Sequence, residues 1–294
     1  MYIRLMKIIK NVCSFVSLKY TRIISFLIFK SRKGLNSPYG SYVSPLETNH
    51  ARTNRIAQEI SAIRKKFTPH YVGWDLVRIG SKNDGGYYLV EQEFNSIFLI
   101  SGGIETNNDF ELMLANAGAT GLQVDYSIKV PPKPHKNLEF IQRKITDFGI
   151  NGGDVSLNSL YESYILNSKH QNSLNILKLD IEGSEWASLT EFKYLGEFNQ
   201  IIVEFHQLFN LVDKQFRSSA INLLEKLNET HICVFSTGNN CCGFSVIAGN
   251  PFPNVIEATF VNRKSIKVER ELTRSEIEIL NIPNLHDRAC LVWF

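Results

Sequence analysis

The chain has 294 residues, 44% of them hydrophobic, which is enough to bury the core of one large α/β domain. Its net charge of +3 is unevenly distributed, because residues 1–33 contain eight basic side chains and no acidic one. The remaining residues contain 24 basic against 29 acidic side chains, a net charge of −5. An acidic body of this kind argues against nucleic acid as a partner.

The cysteines predict a reducing compartment. There are five, two of them adjacent, and none forms a C-x-x-C pair or has a histidine at zinc-finger spacing. This arrangement argues against a disulfide framework and favours buried, inert thiols in a cytoplasmic protein. The residues are Cys13, Cys233, Cys241, Cys242 and Cys290.

Residues 1–33 form a basic segment in which apolar side chains recur at helical spacing between residues 3 and 29. Its uncharged runs are far shorter than the ~20 residues that a spanning helix needs, and no signal-peptide cleavage site follows. Such a helix is expected either to lie on an anionic membrane surface or to pack on the domain or on a second subunit. Residues 34–75 follow as a linker and a lead-in helix, the helix being predicted over Asn54–Phe67.

From residue 76 onward, apolar runs alternate with amphipathic segments, a pattern typical of a parallel sheet covered by helices. Asp84-Gly85-Gly86 between two apolar runs predicts a hairpin turn, because glycine tolerates the positive φ that such turns need. The other predicted elements are strand 96–100, helix 108–117, strand 121–126, strand 138–145, helix 156–168, strand 176–181, helix 184–192, strand 200–206, helix 216–228, strand 231–235 and strand 253–261, with a partly helical tail from residue 271.

The first predicted strand of this sheet runs into Ser101-Gly102-Gly103, and a helix is predicted shortly afterwards. A strand, a glycine turn and a helix start form a nucleotide-binding corner, because missing side chains let the backbone approach a ligand closely. Asp125 ends the next strand, where a carboxylate can accept both ribose hydroxyls of an adenosine. The chain contains no G-x-G-x-x-G sequence, which disfavours an NAD-dependent oxidoreductase.

Acidic side chains and a histidine end the fourth and fifth predicted strands. Asp180 and Glu182 follow one apolar run, and Glu204 and His206 end the next. Since these two strands are expected to be neighbours, the four side chains are expected to converge at one edge of the sheet. Together they could hold a divalent cation, although a site without metal is the favoured hypothesis.

The spacing Asp-x-Glu-Gly-x-Glu-Trp at residues 180–186, led in by Leu-Lys, resembles the signature of the FkbM-type methyltransferases, a branch of the S-adenosylmethionine-dependent class I fold. The resemblance covers residues 76 to 262 and makes residues 76–294 a methyltransferase-like domain. Other segments similar to that family are Arg78 to Tyr87 (Arg-Ile-Gly-x-x-x-Asp-Gly-Gly-Tyr), Glu204-x-His206 and residues 253–261.

The resemblance implies a doubly wound α/β fold, preceded by a helical N-terminal extension. Its mostly parallel, seven-stranded, Rossmann-like class I methyltransferase sheet would have helices on both faces and an antiparallel last strand. The implied activity is methyl transfer from S-adenosylmethionine to an oxygen, with a hydroxyl of a glycan or small molecule as the natural substrate.

The resemblance also assigns roles to residues. The implied catalytic residues are His206, Asp180 and Glu204, with His206 as general base because an ordinary pKa near 6.5 lets it accept a proton near neutral pH. Two simpler interpretations remain open, namely a buried hydrogen-bonded histidine for His206 and a helix-start carboxylate for Glu185. The implied cofactor-binding residues are Ser101, Gly102, Gly103, Asp125, Asp180 and Glu182.

Two departures from the family pattern motivate a second hypothesis. Glu105-Thr106-Asn107-Asn108 interrupts the glycine turn, and Thr237 stands where the family has a histidine. The alternative is a catalytically inactive scaffold of the same fold, held at a membrane surface by residues 1–33 and serving polysaccharide assembly. In either case the expected location is the cytoplasm, peripheral to the membrane if that segment binds lipid. The sequence indicates no oligomeric state.

Overall fold

The structure, a computed structural model, covers most of the chain. The predicted basic helix of residues 1–33 and most of the linker after it lie outside the described residues. Within the described ranges, every helix is too short or too polar to cross a lipid bilayer. These ranges are residues 42–43, 50–91, 93–149, 153–166, 168, 170, 173–285, 291 and 293.

The described residues form sixteen strands and six α-helices. The elements of the first half are β1 (Tyr42–Val43), α1 (His50–Lys66), β2 (His70–Tyr71), β3 (Leu76–Gly80), β4 (Gly86–Val90), β5 (Ile97–Gly102), α2 (Asp109–Asn116), β6 (Thr120–Val124), β7 (Leu138–Ile141) and β8 (Lys144–Thr146). Those of the second half are β9 (Asp154–Ser156), α3 (Leu157–Tyr161), β10 (Leu174–Leu179), α4 (Glu185–Glu191), β11 (Gln200–Phe205), α5 (Lys214–Thr230), β12 (His231–Gly238), β13 (Phe244–Ile247), β14 (Asn250–Pro253), β15 (Ile256–Asn262), β16 (Arg270–Glu271) and α6 (Arg274–Leu280).

Seven strands form the central sheet, in the spatial order β12-β15-β11-β10-β5-β6-β7. β15 is antiparallel to both of its neighbours, and the other pairs are parallel. The prediction of a mostly parallel, Rossmann-like α/β sheet is therefore confirmed, including its antiparallel last strand. β10 lies at the centre of this order, and all its residues except Leu174 are buried, as expected of a strand covered on both faces.

The two largest apolar clusters lie on opposite faces of the central sheet. Adjacent residues of β10 enter different clusters, Ile176 the smaller one and Leu177 the larger, because side chains alternate between the faces of a strand. The larger cluster includes residues of α1, α3, α4 and α5. The smaller one includes residues of α2 and of the β3–β4 hairpin. On this face the sheet is therefore covered by a hairpin as well as by a helix, where only helices were predicted.

The hairpin predicted at Asp84-Gly85-Gly86 is present as β3–β4. Gly85 has a φ of +79°, as the turn requires. Gln200 of β11 attaches the hairpin to the sheet: its side chain accepts a hydrogen bond from the Val90 N–H (2.8 Å) and donates one to the Val90 C=O (2.9 Å). Both residues are buried, so these two bonds position the hairpin on the sheet.

The predicted third strand, residues 138–145, is wrong in its extent. β7 ends at Ile141, and β8 begins at Lys144 and pairs with β9 in a separate two-stranded sheet. The break takes Ile145 out of the central sheet and onto Gly102, where its Cδ1 lies 2.6 Å from the position that a Cβ atom would occupy. The strand therefore ends before Ile145, which turns to pack on Gly102. Hydrophobic periodicity along the chain does not predict such a contact between distant residues.

The substitution Gln200→Leu is expected to lower the free energy of unfolding by about 2–4 kcal/mol, because it leaves the buried N–H and C=O of Val90 without partners. Urea denaturation followed by circular dichroism measures the change. Gln58→Leu on the exposed side of α1 is the matched control, with an expected change within about 0.5 kcal/mol. Equal stability of the two variants would contradict the role assigned to Gln200.

Candidate functional site

Acidic side chains from three neighbouring strands meet at one edge of the central sheet. Asp180 follows the carboxyl end of β10, and Glu204 lies near the carboxyl end of its parallel neighbour β11. β15 runs antiparallel to β11 and places Glu257 directly opposite Glu204. Directly opposite residues project from the same face of a sheet, so these two carboxyl groups are close. Sequence reasoning missed Glu257.

His206 lies at the centre of this cluster. Its Nε2 atom is 3.8 Å from Asp180 Oδ1, 3.9 Å from Glu182 Oε2 and 3.8 Å from Glu204 Oε1. His206 and Glu204 are buried, Asp180 is partly buried and Glu182 is exposed. The structure therefore brings together the four side chains that the sequence places at the strand ends.

The turn between β10 and α4 orients His206. Glu182 and Gly183 in this turn both have a positive φ, of +56° and +105°. The buried carboxylate of Glu185 closes the turn, because its Oε1 accepts hydrogen bonds from the N–H groups of Ile181 (2.9 Å) and Gly183 (3.2 Å). The same oxygen lies 3.0 Å from Nδ1 of His206. Glu185 is thus both a carboxylate at a helix start and the partner of the histidine.

The carboxylates around His206 determine its charge. Burial acts to lower its pKa, but the hydrogen bond to Glu185 and the charges of Glu185, Asp180 and Glu182 raise the pKa from 6.5 to about 9. The side chain is therefore an imidazolium ion at neutral pH. This charge state disfavours the predicted role of His206 as a general base, which assumed an ordinary histidine.

Tyr87 and Lys178, which sequence reasoning also missed, hold Asp180 in place. The hydroxyl of Tyr87 donates to Asp180 Oδ2 at 2.9 Å, and Lys178 Nζ lies 3.9 Å from the same oxygen. Lys178 also donates to the backbone C=O of Gly103 and so links β10 to the turn after β5. Burial and the charge of Asp180 raise the pKa of Tyr87, which keeps its phenol a donor. Both residues stand inside motifs noted in the sequence, Asp-Gly-Gly-Tyr and Leu-Lys.

Glu204 and Glu257 form a second pair of buried acids, each with an asparagine partner. Asn239 donates to Glu204 Oε1 at 2.9 Å, and Asn284 donates to Glu257 Oε1 at 2.5 Å. Burial, followed by the charges of Asp180 and Glu257, raises the pKa of Glu204 well above its usual range. Burial also raises the pKa of Glu257 to about 7, against the hydrogen bond from Asn284. Both can therefore exchange a proton closer to neutral pH than an ordinary carboxyl group.

The predicted cofactor corner after β5 is packed by the chain itself. The side chain of Ile145, in β8, packs against Gly102. A Cβ atom on Gly103 would collide with the backbone oxygen of Asp180. Ser101 is fully buried, and its hydroxyl donates to a carboxylate of α2 at 2.5 Å. Close packing thus explains both glycines. Cofactor binding by these three residues stays a prediction.

Asp125 accepts four hydrogen bonds from its own chain. Its Oδ2 atom accepts hydrogen bonds from the N–H groups of Ile104 and Glu105, both at 2.8 Å. Its Oδ1 atom accepts hydrogen bonds from the N–H and the hydroxyl of Ser127, both at 2.7 Å. Burial acts to raise its pKa, but these hydrogen bonds lower it. Because a carboxylate has about four acceptor sites, ribose hydroxyls would have to displace Ser127. The role of ribose ligand stays a prediction.

The region at the carboxyl ends of β10 and β11, called the crevice below, contains more acidic than basic side chains. Such a field favours a cationic ligand, either an organic cation or a metal ion. Asp180, Glu182 and His206 could hold a metal ion, because one ligand atom from each lies within 4.8 Å of the others. The carboxyl groups that interact electrostatically here include Asp84, Glu105, Asp180, Glu182, Glu204 and Glu257.

Comparison with known proteins leaves the family open. A scan against models of protein families found no match, and a search of curated proteins found none. The similarity of residues 180–186 to the FkbM-type signature therefore stays a hypothesis, based on spacing in the sequence.

The imidazole nitrogen signals of His206 are expected to titrate near pH 9 in metal-free protein, as followed by NMR. Glu185→Gln is expected to lower this pKa by about one unit or more, because it removes the nearest negative charge. His231 is an internal reference, since burial lowers its pKa to about 4 and it is distant in sequence from the turn. A pKa near 6.5 for His206 in the unaltered chain would contradict the electrostatics described above.

Proposed function

We propose that this chain is an S-adenosylmethionine-dependent class I methyltransferase that methylates a hydroxyl group of a glycan or small molecule. The observation that carries the proposal is the convergence of Asp180, Glu204 and His206 at the carboxyl ends of adjacent parallel strands. The FkbM-like spacing of residues 180–186 supports it from the sequence.

The strand order supports a nucleoside-binding crevice between β5 and β10. From β5 the chain continues through β6 and β7 on one side of the sheet, and it then returns to β10 and β11 on the other side. Open α/β sheets bind ligands outside the carboxyl ends of strands where the order reverses in this way. Gly102 and Asp180 stand at these two strand ends, joined by a hydrogen bond from the Asp180 N–H to the Gly102 C=O (3.0 Å).

The charge of the crevice also supports the proposal. The sulfonium and ammonium groups of S-adenosylmethionine are cations, and the partly buried Asp180 lies beside the reversal point with acidic neighbours on both sides. Negative side chains in a partly desolvated site attract a cation more strongly than they would in water. The transferred methyl leaves a neutral sulfur, so this attraction weakens in the product.

In the proposed reaction, the acceptor oxygen attacks the methyl carbon in line with the carbon–sulfur bond. That bond breaks as the carbon–oxygen bond forms, and S-adenosylhomocysteine leaves. The hydroxyl proton passes to a carboxylate, and Glu204 suits this role because it is buried in the crevice and oriented by Asn239. His206 acts as the positive group that balances Asp180, instead of accepting the proton.

A second candidate function is favoured by the packing of the β5 corner. Gly102 is covered by Ile145, and the carboxylate of Asp125 already accepts four hydrogen bonds. A chain that fills its own nucleoside corner would serve as a catalytically inactive scaffold of the same fold. Cofactor binding distinguishes this function from methyl transfer.

Isothermal titration of the full chain in the presence of a chelator is expected to show saturable binding of S-adenosylmethionine and S-adenosylhomocysteine, and none of NAD. Asp180→Asn is expected to weaken S-adenosylmethionine binding by about tenfold, or about 1.4 kcal/mol, because it removes a negative charge beside the sulfonium. Glu139→Gln, which alters an exposed carboxylate on β7, is the matched control and should bind normally. Absence of binding would favour the scaffold, and binding of NAD would contradict the proposed class.

A further inference from the structure

The surroundings of the Nε2 atom of His206 indicate a missing ligand. His206 is only 8% exposed, and no described residue forms a hydrogen bond with Nε2. Its three nearest carboxylate oxygens lie 3.8, 3.8 and 3.9 Å away, beyond the normal N–H···O range of about 2.7–3.2 Å. This unbonded nitrogen of a largely buried imidazole faces the oxygens of Asp180 and Glu182 across gaps that leave room for a shared ion.

We propose that Asp180, Glu182 and His206 bind one divalent transition-metal cation of the Mn²⁺ or Zn²⁺ type. One ligand atom from each residue lies within 4.8 Å of the others. A cation with bonds of about 2.1 Å holds neighbouring ligand atoms about 3.0 Å apart and opposite ones about 4.2 Å apart. The distances from His206 Nε2 to Asp180 Oδ1 (3.8 Å) and to Glu182 Oε2 (3.9 Å) lie between these two values, so the ligands need to shift by less than about 1 Å on binding.

The other ring nitrogen of His206 is already held as it is in metal-bound histidines. Nδ1 lies 3.0 Å from the Oε1 atom of Glu185 and 3.0 Å from the backbone C=O of Glu204. Metal-binding histidines almost always donate this second N–H to a carboxylate or carbonyl, which fixes the tautomer and the ring orientation. A metal ion would displace the Nε2 proton of the imidazolium, and the lone pair left on Nε2 would then face Asp180 and Glu182.

The carboxylate ligand at Asp180 is supported in the same manner. Tyr87 donates its hydroxyl hydrogen to Oδ2 at 2.9 Å, and this leaves Oδ1 as the oxygen nearest to His206. Tyr87 is buried within the hairpin, so its hydroxyl is held in place. Outer hydrogen bonds of this type orient metal-binding carboxylates and are part of what makes a site selective.

The ligand set decides the kind of cation. An imidazole nitrogen with two carboxylate oxygens suits Mn²⁺, Fe²⁺ or Zn²⁺, whereas Mg²⁺ and Ca²⁺ prefer oxygen ligands alone. The catalytic use of this ion rests on the proposed function: bound to the acceptor hydroxyl, it would make the proton easier to remove. Glu204 lies beside the ligands and outside the set, where it can take that proton.

Mn²⁺ titrated into the chelator-treated full-length chain, without S-adenosylmethionine, tests the site by electron paramagnetic resonance. One ion per chain is expected, and the pulsed spectrum should show the ¹⁴N modulation of a coordinated imidazole. His206→Gln is expected to abolish that modulation. This variant and Asp180→Asn should each weaken Mn²⁺ binding by more than about tenfold.

Glu105→Gln is the control for charge alone, because it removes an exposed carboxylate of the same crevice without removing a ligand. It is expected to change Mn²⁺ affinity by less than about fivefold, the range of an exposed charge interaction. A loss equal to that of Asp180→Asn would show binding by diffuse charge only and would overturn the site.

The unaltered chain also tests the site by itself, whether or not the variants fold. Failure to bind Mn²⁺ at millimolar concentration, or binding without the ¹⁴N modulation, would overturn the proposal. The cofactor titration uses a chelator and this titration uses no cofactor. Failure of the metal site therefore leaves the methyltransferase proposal standing, and the reverse also holds.

Discussion

The buried carboxylate of Glu185 is the contact on which the crevice depends. One of its oxygens accepts the N–H groups of Ile181 and Gly183 and also faces Nδ1 of His206, so it joins the turn after β10 to the exit of β11. Its other oxygen is buried with no hydrogen-bond partner among the described residues, an arrangement that costs about 1–3 kcal/mol. The residue that carries this cost is also the one that orients His206. Energetically costly features commonly cluster at functional sites.

Repulsion between carboxylates is the second constraint on the site. Asp180 is stabilised by Tyr87 and by the positive charges of Lys178 and His206, while Glu204 lies deeper and has a raised pKa. A proton on His206, a metal ion among its neighbours and the sulfonium of a cofactor would each relieve the same repulsion. The methyltransferase and the cation site are therefore separate proposals with one physical cause, a concentration of negative charge at the ends of β10 and β11.

The two sides of the reversal point differ in how well they fit the family resemblance. On the β10 side, the spacing of residues 180–186 agrees with a geometry in which acids and a histidine meet in one place. On the β5 side, Ile145 covers Gly102, and Ser127 completes the four hydrogen bonds of Asp125. A nucleoside that enters there has to compete with hydrogen bonds within the chain, which makes cofactor titration the decisive measurement.

The sequence by itself determined the order of most strands and helices and the presence of Asp180, Glu204 and His206 at strand ends, because hydrophobic periodicity reports burial along a local segment. Only the tertiary structure decided that Glu257 joins them, since this depends on β15 pairing between β11 and β12, far from either in sequence. It also decided the break before Ile145 and the raised pKa of His206. Packing volumes and charge–charge distances arise between residues that are remote along the chain, and local patterns carry no record of them.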